Sequence, residues 1–303
     1  MTVYSTEGPL RVRTNLADSN LTERLKSGEI RSPLVDFVFD GPKVAHDGFK
    51  PMVREGAFDA GELAIATYLQ ARVYDKPYVM LPAVVVGRFQ HHCLAYNTNR
   101  GKLAPKDLEG RTLGVRSYSQ TTGMWVRGLL KHEYGVDIDK INWLVADEGH
   151  LAEYSDPENV TRLEKGHKKI AQMLLDGDID GALLGNEMPK GDERIETVIP
   201  DPHSAAKVWF AKHKIVPVNH VFVVRKELSQ ERPDVVREIY RMLKEAKDSL
   251  GLAPGEIDTL PFGFDNLRGS LEAAVEYAAE QNIIPRRLTV DELFDATTRS
   301  LQA

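Results

Sequence analysis

Residues 111–130, RTLGVRSYSQTTGMWVRGLL, constrain the fold of this chain more than any other stretch. Thr112–Val115 reads as a short strand, Arg116–Thr122 as a polar turn, and a helix follows from near Gly123. A strand that runs through a tight turn into a helix is the building unit of parallel sheets covered by helices. The first N–H groups of such a helix lack intrahelical partners, and the helix dipole adds partial positive charge there. Ser117, Ser119, Thr121 and Thr122 crowd that tip, and Arg116 and Arg127 can add full charges to it. The tip is therefore suited to an anion. Capping of the helix by Thr121 or Thr122 accounts for the same residues without a ligand.

The rest of the chain repeats this alternation. Strands are expected at Leu10–Asn15, Val35–Phe39, Tyr78–Val86, Gln90–Tyr96, Asn142–Ala146, Ile179–Leu184 and His220–Arg225. Helices fall between them, and FDAGELAIATYL passes from strand to helix with Glu62 at the junction. Tyr78–Val86 is apolar almost without interruption, as in a strand buried on both faces. Residues 147–166 read as an acidic surface excursion and 186–206 as irregular, and helices at Ser270–Gln281 and Thr289–Ser300 close the chain. The regularity breaks near 97–110 and again near 207–220. Two such breaks describe a chain that leaves one lobe, builds a second and returns. The expectation is an α/β protein with residues 1–98 and 221–303 in lobe 1 and 99–220 in lobe 2. Ligands of such folds sit at the carboxyl ends of strands, here between the lobes.

Composition removes several function classes. The chain has 303 residues, a formal net charge of −6 and no basic run, so nucleic acid is not an expected partner. The single cysteine, Cys93, excludes an internal disulfide and reads as a buried, inert thiol. No basic leader precedes an apolar core at the N-terminus, and no apolar run reaches membrane-spanning length. A cytoplasmic protein without a membrane partner is expected. The C-terminal amphipathic helices fit a monomer and a homo-oligomer equally.

Several segments carry a family pattern. LAPKDLEGRTLGV, a hydroxyl-rich turn and a helix resemble the entry to the second lobe of type II periplasmic-binding-protein folds. The chain resembles most sharply the 4,5-dihydroxyphthalate decarboxylases, which carry a Trp-x-Arg-Gly helix ending in Glu-Tyr-Gly-Val. Trp125, Arg127, Gly128, Glu133, Tyr134, Gly135 and Val136 stand in that pattern. Residues 58–69, 87–97, 173–184, 216–228 and 288–294 are also similar, in the family's order. Two departures stand out. Gly185-Asn186-Glu187-Met188-Pro189 places a carboxylate where the family usually has an Arg, and residues 147–157 lack its Glu-Glu-Pro run.

The resemblance implies two lobes, each a mainly parallel sheet flanked by helices, and loss of carbon dioxide from a hydroxylated aromatic acid without an organic cofactor. Cations and N–H donors must hold the carboxylates, an acid must protonate the ipso carbon, and a base or acceptor must favour the phenolate. Histidine is the commonest proton donor near neutral pH. Arg88 follows a buried strand and is expected at the cleft with a histidine beside it; the family pattern favours His92, with His91 open. His220 and Glu62 are further candidates, Glu62 as partner of a buried cation or as the phenol base. Arg116, Ser117, Thr121, Thr122 and Arg127 would bind substrate. Metal is not expected, because no His-x-x-x-His or Cys pair gives a ligand spacing, and no G-x-S-x-G elbow supports a serine hydrolase. The same fold also suits a non-catalytic solute-binding protein for an organic anion.

Overall fold

The computed structural model describes residues 4, 5, 7–189, 191–253 and 255–303, apart from the side chain of Asn186. The chain first lays down β1 (Leu10–Asn15), β2 (Val35–Val38), β3 (Ala60–Ala64) and β4 (Tyr78–Gly87). It then builds β5 (Leu94–Asn97), β6 (Thr112–Val115), β7 (Asn142–Val145), β8 (Val160–Arg162), β9 (Gly181–Leu183) and β10 (Ile195–Thr197), and returns as β11 (Val218–Arg225). These strands form two sheets, ordered β2-β1-β3-β11-β4 and β10-β5-β9-β6-β7-β8. In the first, β11 runs antiparallel between β3 and β4. In the second, β5 runs antiparallel to its neighbours β9 and β10, while β9, β6, β7 and β8 are parallel. Each lobe is thus mainly parallel with one reversed strand, the one that carries the chain across. Strand β5 pairs in the second sheet and Val218–His220 in the first, so we propose lobe limits drawn by sheet membership, with the crossings at 88–93 and 198–217.

The strands form where apolar and β-branched residues run together, and β4 is buried from Tyr78 to Val85. Helix Pro233–Asp248 covers the outer face of the first sheet with Val235, Ile239 and Leu243. A second, larger core runs through both lobes behind the cleft. There helix Thr121–Tyr134 packs on helix Phe264–Glu280, and Gly128 permits the close approach: a Cβ at that position would lie 2.1 Å from a Tyr277 ring carbon. The indole N–H of Trp125 donates to the Val218 carbonyl (2.8 Å), tying the same helix to β11.

Several expectations change. Residues Gln90–Cys93 form a turn closed by the Cys93 amide donating to the Gln90 carbonyl (2.9 Å), so the strand begins only at Leu94. Residues 147–166 are not a free excursion: Leu151 is buried, and β8 extends the second sheet. Residues 186–206 hold β10 and the start of helix Pro202–His213, whose first turn is capped by the Asp201 carboxylate accepting from Ser204 N–H (3.2 Å). The last expected helix is reduced to short turns at Asp291–Leu293 and Ala296–Arg299. Among the described residues no helix is long and apolar enough to cross a membrane.

Candidate active site

The polar groups of the cleft come from just beyond the carboxyl ends of strands in both sheets, as open α/β folds dictate. His46 follows β2, Glu62 lies in β3 and Thr67 in the helix that continues it, and Arg88 follows β4. From the other lobe, Arg116 follows β6, His150 follows β7 and Glu187 follows β9. His220 enters from the opposite direction, at the start of the reversed β11. An inner cavity of about 190 Å³ is lined by all of these except Glu62, together with Gln120, Thr121, Thr122 and Asn219, and with Phe49, Ala64, Val86 and Leu184 as its apolar surface. An outer chamber of about 300 Å³ shares His46, Arg116, Gln120 and His150 with it and adds Lys50, Ser117, Ser119 and the carboxylates Asp47, Asp147 and Glu148.

Glu62 and His220 form a pair at the wall of the site. Glu62 is buried (2% exposed); its Oε1 accepts the Ala17 amide N–H (3.1 Å), and its Oε2 lies 3.3 Å from His220 Nδ1. The His220 ring stands edge-on to Phe49, with centroids 5.2 Å apart. With Nδ1 engaged by Glu62, Nε2 is the ring nitrogen left for a ligand. The pairing follows from sheet register, because β11 lies antiparallel to β3 with His220 opposite Ala64 and Phe222 opposite Glu62.

Two further histidines line the cavity. His150 Nδ1 lies 2.7 Å from the Thr67 hydroxyl, and burial, then the Arg116 and Lys50 charges, push its pKa down to about 3. Burial and Arg116 also lower His46, partly offset by Asp47 at 3.3 Å. Both imidazoles are therefore neutral at pH 7 and serve as hydrogen-bonding groups. Among the described residues no three of His, Cys, Asp or Glu are gathered so as to hold a metal.

The positive side of the cavity combines Arg88 from the first lobe with Arg116 from the second. Gly185, at φ +54°, lets the turn after β9 press on Arg88, since a Cβ there would lie 3.3 Å from its Nη2. Thr121 does not cap its own helix: Gln120 holds the cap position without a side-chain bond, and Thr121 Oγ1 accepts the Ala66 amide N–H of the opposite lobe (3.2 Å). Thr122 faces the inner cavity, whereas Ser117 faces the outer one and stands 3.4 Å from Ser119.

Three expected site residues lie elsewhere. His91 is buried against Phe89 and Trp209, and burial brings its pKa down to about 4. His92 is exposed on the turn, with Nε2 3.6 Å from Cys93 Sγ, and burial of part of its ring and the Arg88 charge lower its pKa. Neither lines the cavity. Arg127 is fully buried behind the helix: its Nε donates to Gln281 Oε1 (2.7 Å), Nη2 to the Tyr118 carbonyl (2.6 Å), and its guanidinium lies 3.8 Å from the Tyr118 ring centre. It fastens helix Thr121–Tyr134 to the core. His46 and His150 were missed, although position after a strand end was a signal for both.

Solved structures that share this architecture define the class. The alkanesulfonate-binding protein SsuA from Xanthomonas axonopodis pv. citri, bound to MOPS, matches with a TM-score of 0.57 at 12% identity, covering 94% of this chain and 98% of its own. The periplasmic aliphatic sulphonate binding protein SsuA from Escherichia coli gives 0.56 at 11% identity (94% and 92%), and the desulfurization enzyme DSZB gives 0.53 at 14% (95% and 97%). The chain has the two-lobed periplasmic-binding-protein fold. In sequence it is related to the 4,5-dihydroxyphthalate decarboxylases, as its motifs implied. It is 27% identical to the enzyme of Comamonas testosteroni, over 92% of this chain and 90% of that one, and 24% identical to that of Pseudomonas putida, over 61% and 76%. No family model matches the chain.

Proposed function

We propose that this protein is a cofactor-independent carboxy-lyase for a hydroxylated aromatic acid of the phthalate type, with 4,5-dihydroxyphthalate converted to 3,4-dihydroxybenzoate and carbon dioxide. The observation that carries this reading is the His220–Glu62 pair, at 3.3 Å, at the wall of a cavity whose cations come from both lobes. The relatives' activity supports the same reaction.

Arg88 and Arg116 hold the ring carboxylates from opposite lobes, and Thr122 and the start of its helix add a hydroxyl and N–H donors. Phe49, Val86 and Leu184 cover the ring faces. Protonated His220 donates Glu62-ward through Nδ1 and delivers the Nε2 proton to the ipso carbon. Glu62 orients the ring and stabilises the imidazolium; with both oxygens occupied it has no reach to the substrate. His46 and His150, neutral at pH 7, complete the polar wall without adding charge.

The test is incubation of the purified protein with 4,5-dihydroxyphthalate, following carbon dioxide and 3,4-dihydroxybenzoate. Release of both is expected. Failure to release carbon dioxide from any dihydroxyphthalate or dihydroxybenzoate isomer overturns the reading, and tight binding without turnover would establish a solute-binding protein instead.

A further inference from the structure

Loss of carbon dioxide from a phenolic ring needs a group that takes the proton of the hydroxyl para to the departing carboxylate. Glu62 is not available, because Ala17 N–H and His220 occupy its two oxygens and only 2% of the residue is exposed. Among the described residues lining the inner cavity, the sole carboxylate is Glu187. It ends the short turn Gly185–Glu187 directly after β9, is exposed, and enters no salt bridge among the described residues. With the stronger Asp47, its charge opposes the lowering of the His46 pKa, and the turn that carries it is pressed on Arg88 through Gly185. The acid therefore stands in the same wall as the cations that would hold the carboxylates.

We propose that Glu187, which stands where the family usually has an Arg, is a catalytic residue particular to this chain, the acceptor of the para-hydroxyl proton, and that it selects hydroxylated rings over plain ones. This rests on the decarboxylase reading of the same cavity. When His220 Nε2–H protonates the ipso carbon, a C–H bond forms and the ring electron pair it uses leaves the para C–OH as a protonated carbonyl. That O–H is far more acidic than a carboxylic acid, so a carboxylate is basic enough to take its proton. The C–C bond to the carboxylate then breaks, carbon dioxide leaves, and the bonding pair restores the aromatic ring with negative charge on the para oxygen. That oxygen regains its proton from Glu187, and solvent reprotonates His220. The net change is one proton consumed and one carbon dioxide released, with no oxidant or reductant. A ring lacking the hydroxyl would set a C–H bond against the carboxylate and lose both the contact and the acceptor.

The experiment compares wild type with Glu187→Gln and Glu187→Asp. For 4,5-dihydroxyphthalate, Glu187→Gln should lower kcat about 100-fold or more with KM within about threefold, and Glu187→Asp should restore at least about tenfold of that loss. In calorimetry, the preference of wild type for 3,4-dihydroxybenzoate over benzoate should shrink about tenfold in Glu187→Gln. If wild type turns over and Glu187→Gln keeps kcat within about twofold, the proposal is overturned while the decarboxylase reading stands. If wild type releases no carbon dioxide, that reading and the proton-transfer role fall together; the binding preference then separately decides hydroxyl recognition, an unchanged ratio overturning it.

Discussion

Thr121 Oγ1 accepts the backbone N–H of Ala66 at 3.2 Å, so the first turn of a helix in one lobe satisfies the first turn of a helix in the other. Both atoms are buried, and the opening N–H groups of a helix have no partner of their own. Thr121→Val keeps the shape and leaves Ala66 N–H unpaired, which should cost about 1–3 kcal/mol. Thr121→Ser should recover most of this. Urea unfolding of the three proteins checks it, and a Thr121→Val protein as stable as wild type would show that the bond contributes nothing.

His220 and Glu62 act as one unit, so their substitutions should not add. His220→Gln should lower kcat by about 100- to 10,000-fold. Glu62→Gln should lower it less, and the double variant should match His220→Gln alone. Steady-state kinetics on the four proteins decides between coupled and independent roles.

Acid should destabilise the fold through two histidines held neutral. His91 falls to about 4 and His150 to about 3, against about 6.5 in the unfolded chain. Glu133 opposes the shift at His91, whereas the groups around His150, namely Arg116, Lys50, His46 and Arg54, all reinforce it. The unfolded state binds these protons first, so the stability present above pH 6.5 is lost as pH falls, down to about 4 for one residue and about 3 for the other. Each contributes at most about 1.4 kcal/mol per pH unit in its window. Chemical unfolding from pH 7.5 to 4.5 should show this slope, and His91→Phe should flatten it.

The mouth of the cleft is clasped by the loop after β7. Glu148 pairs with Lys50 (3.1 Å) and Arg54 (3.0 Å), Arg54 Nε donates to the His150 carbonyl (2.7 Å), and Glu153 pairs with Lys76. These pairs are partly exposed and each is worth roughly 0.2–1 kcal/mol. Glu148→Gln should therefore speed ligand release by about two- to tenfold, and added salt should act in the same direction, more strongly on wild type than on the variant. Stopped-flow dissociation of 3,4-dihydroxybenzoate measures both.

The two-lobed α/β architecture was readable because apolar runs such as Tyr78–Val86 and strand-to-helix junctions such as 60–73 are local signals. Glu62 and His220 were readable as separate polar residues in apolar settings, but not as a pair, since sheet register joins them across 158 positions. His91 and His92 lie in a turn where the side-chain pattern of Gln90–Cys93 reads as strand, since a turn hydrogen bond between backbone atoms leaves no mark in that pattern. Helix Pro202–His213 did carry a local signal, an Asp followed by Pro at a helix start. Arg127 fits a family pattern, yet its charge is held by Tyr118 and Gln281 from distant segments, which no local pattern reports.

The placement of β11 has a consequence for how the protein is made. β3 and β4 lie on either side of it, so the first sheet cannot be completed until residues 218–225 have been synthesised. The second sheet, by contrast, needs only residues 94–197. The lobe that begins the chain is thus completed after the lobe that interrupts it, and an unfilled gap between two buried strands persists on the ribosome in the meantime. Limited proteolysis of chains stalled on the ribosome before Val218 should find Thr112–Val115 protected and Ala60–Ala64 open to cleavage. Because His220 arrives on that same strand, a nascent chain stalled before it would hold Arg88 and Arg116 but lack the partner of Glu62.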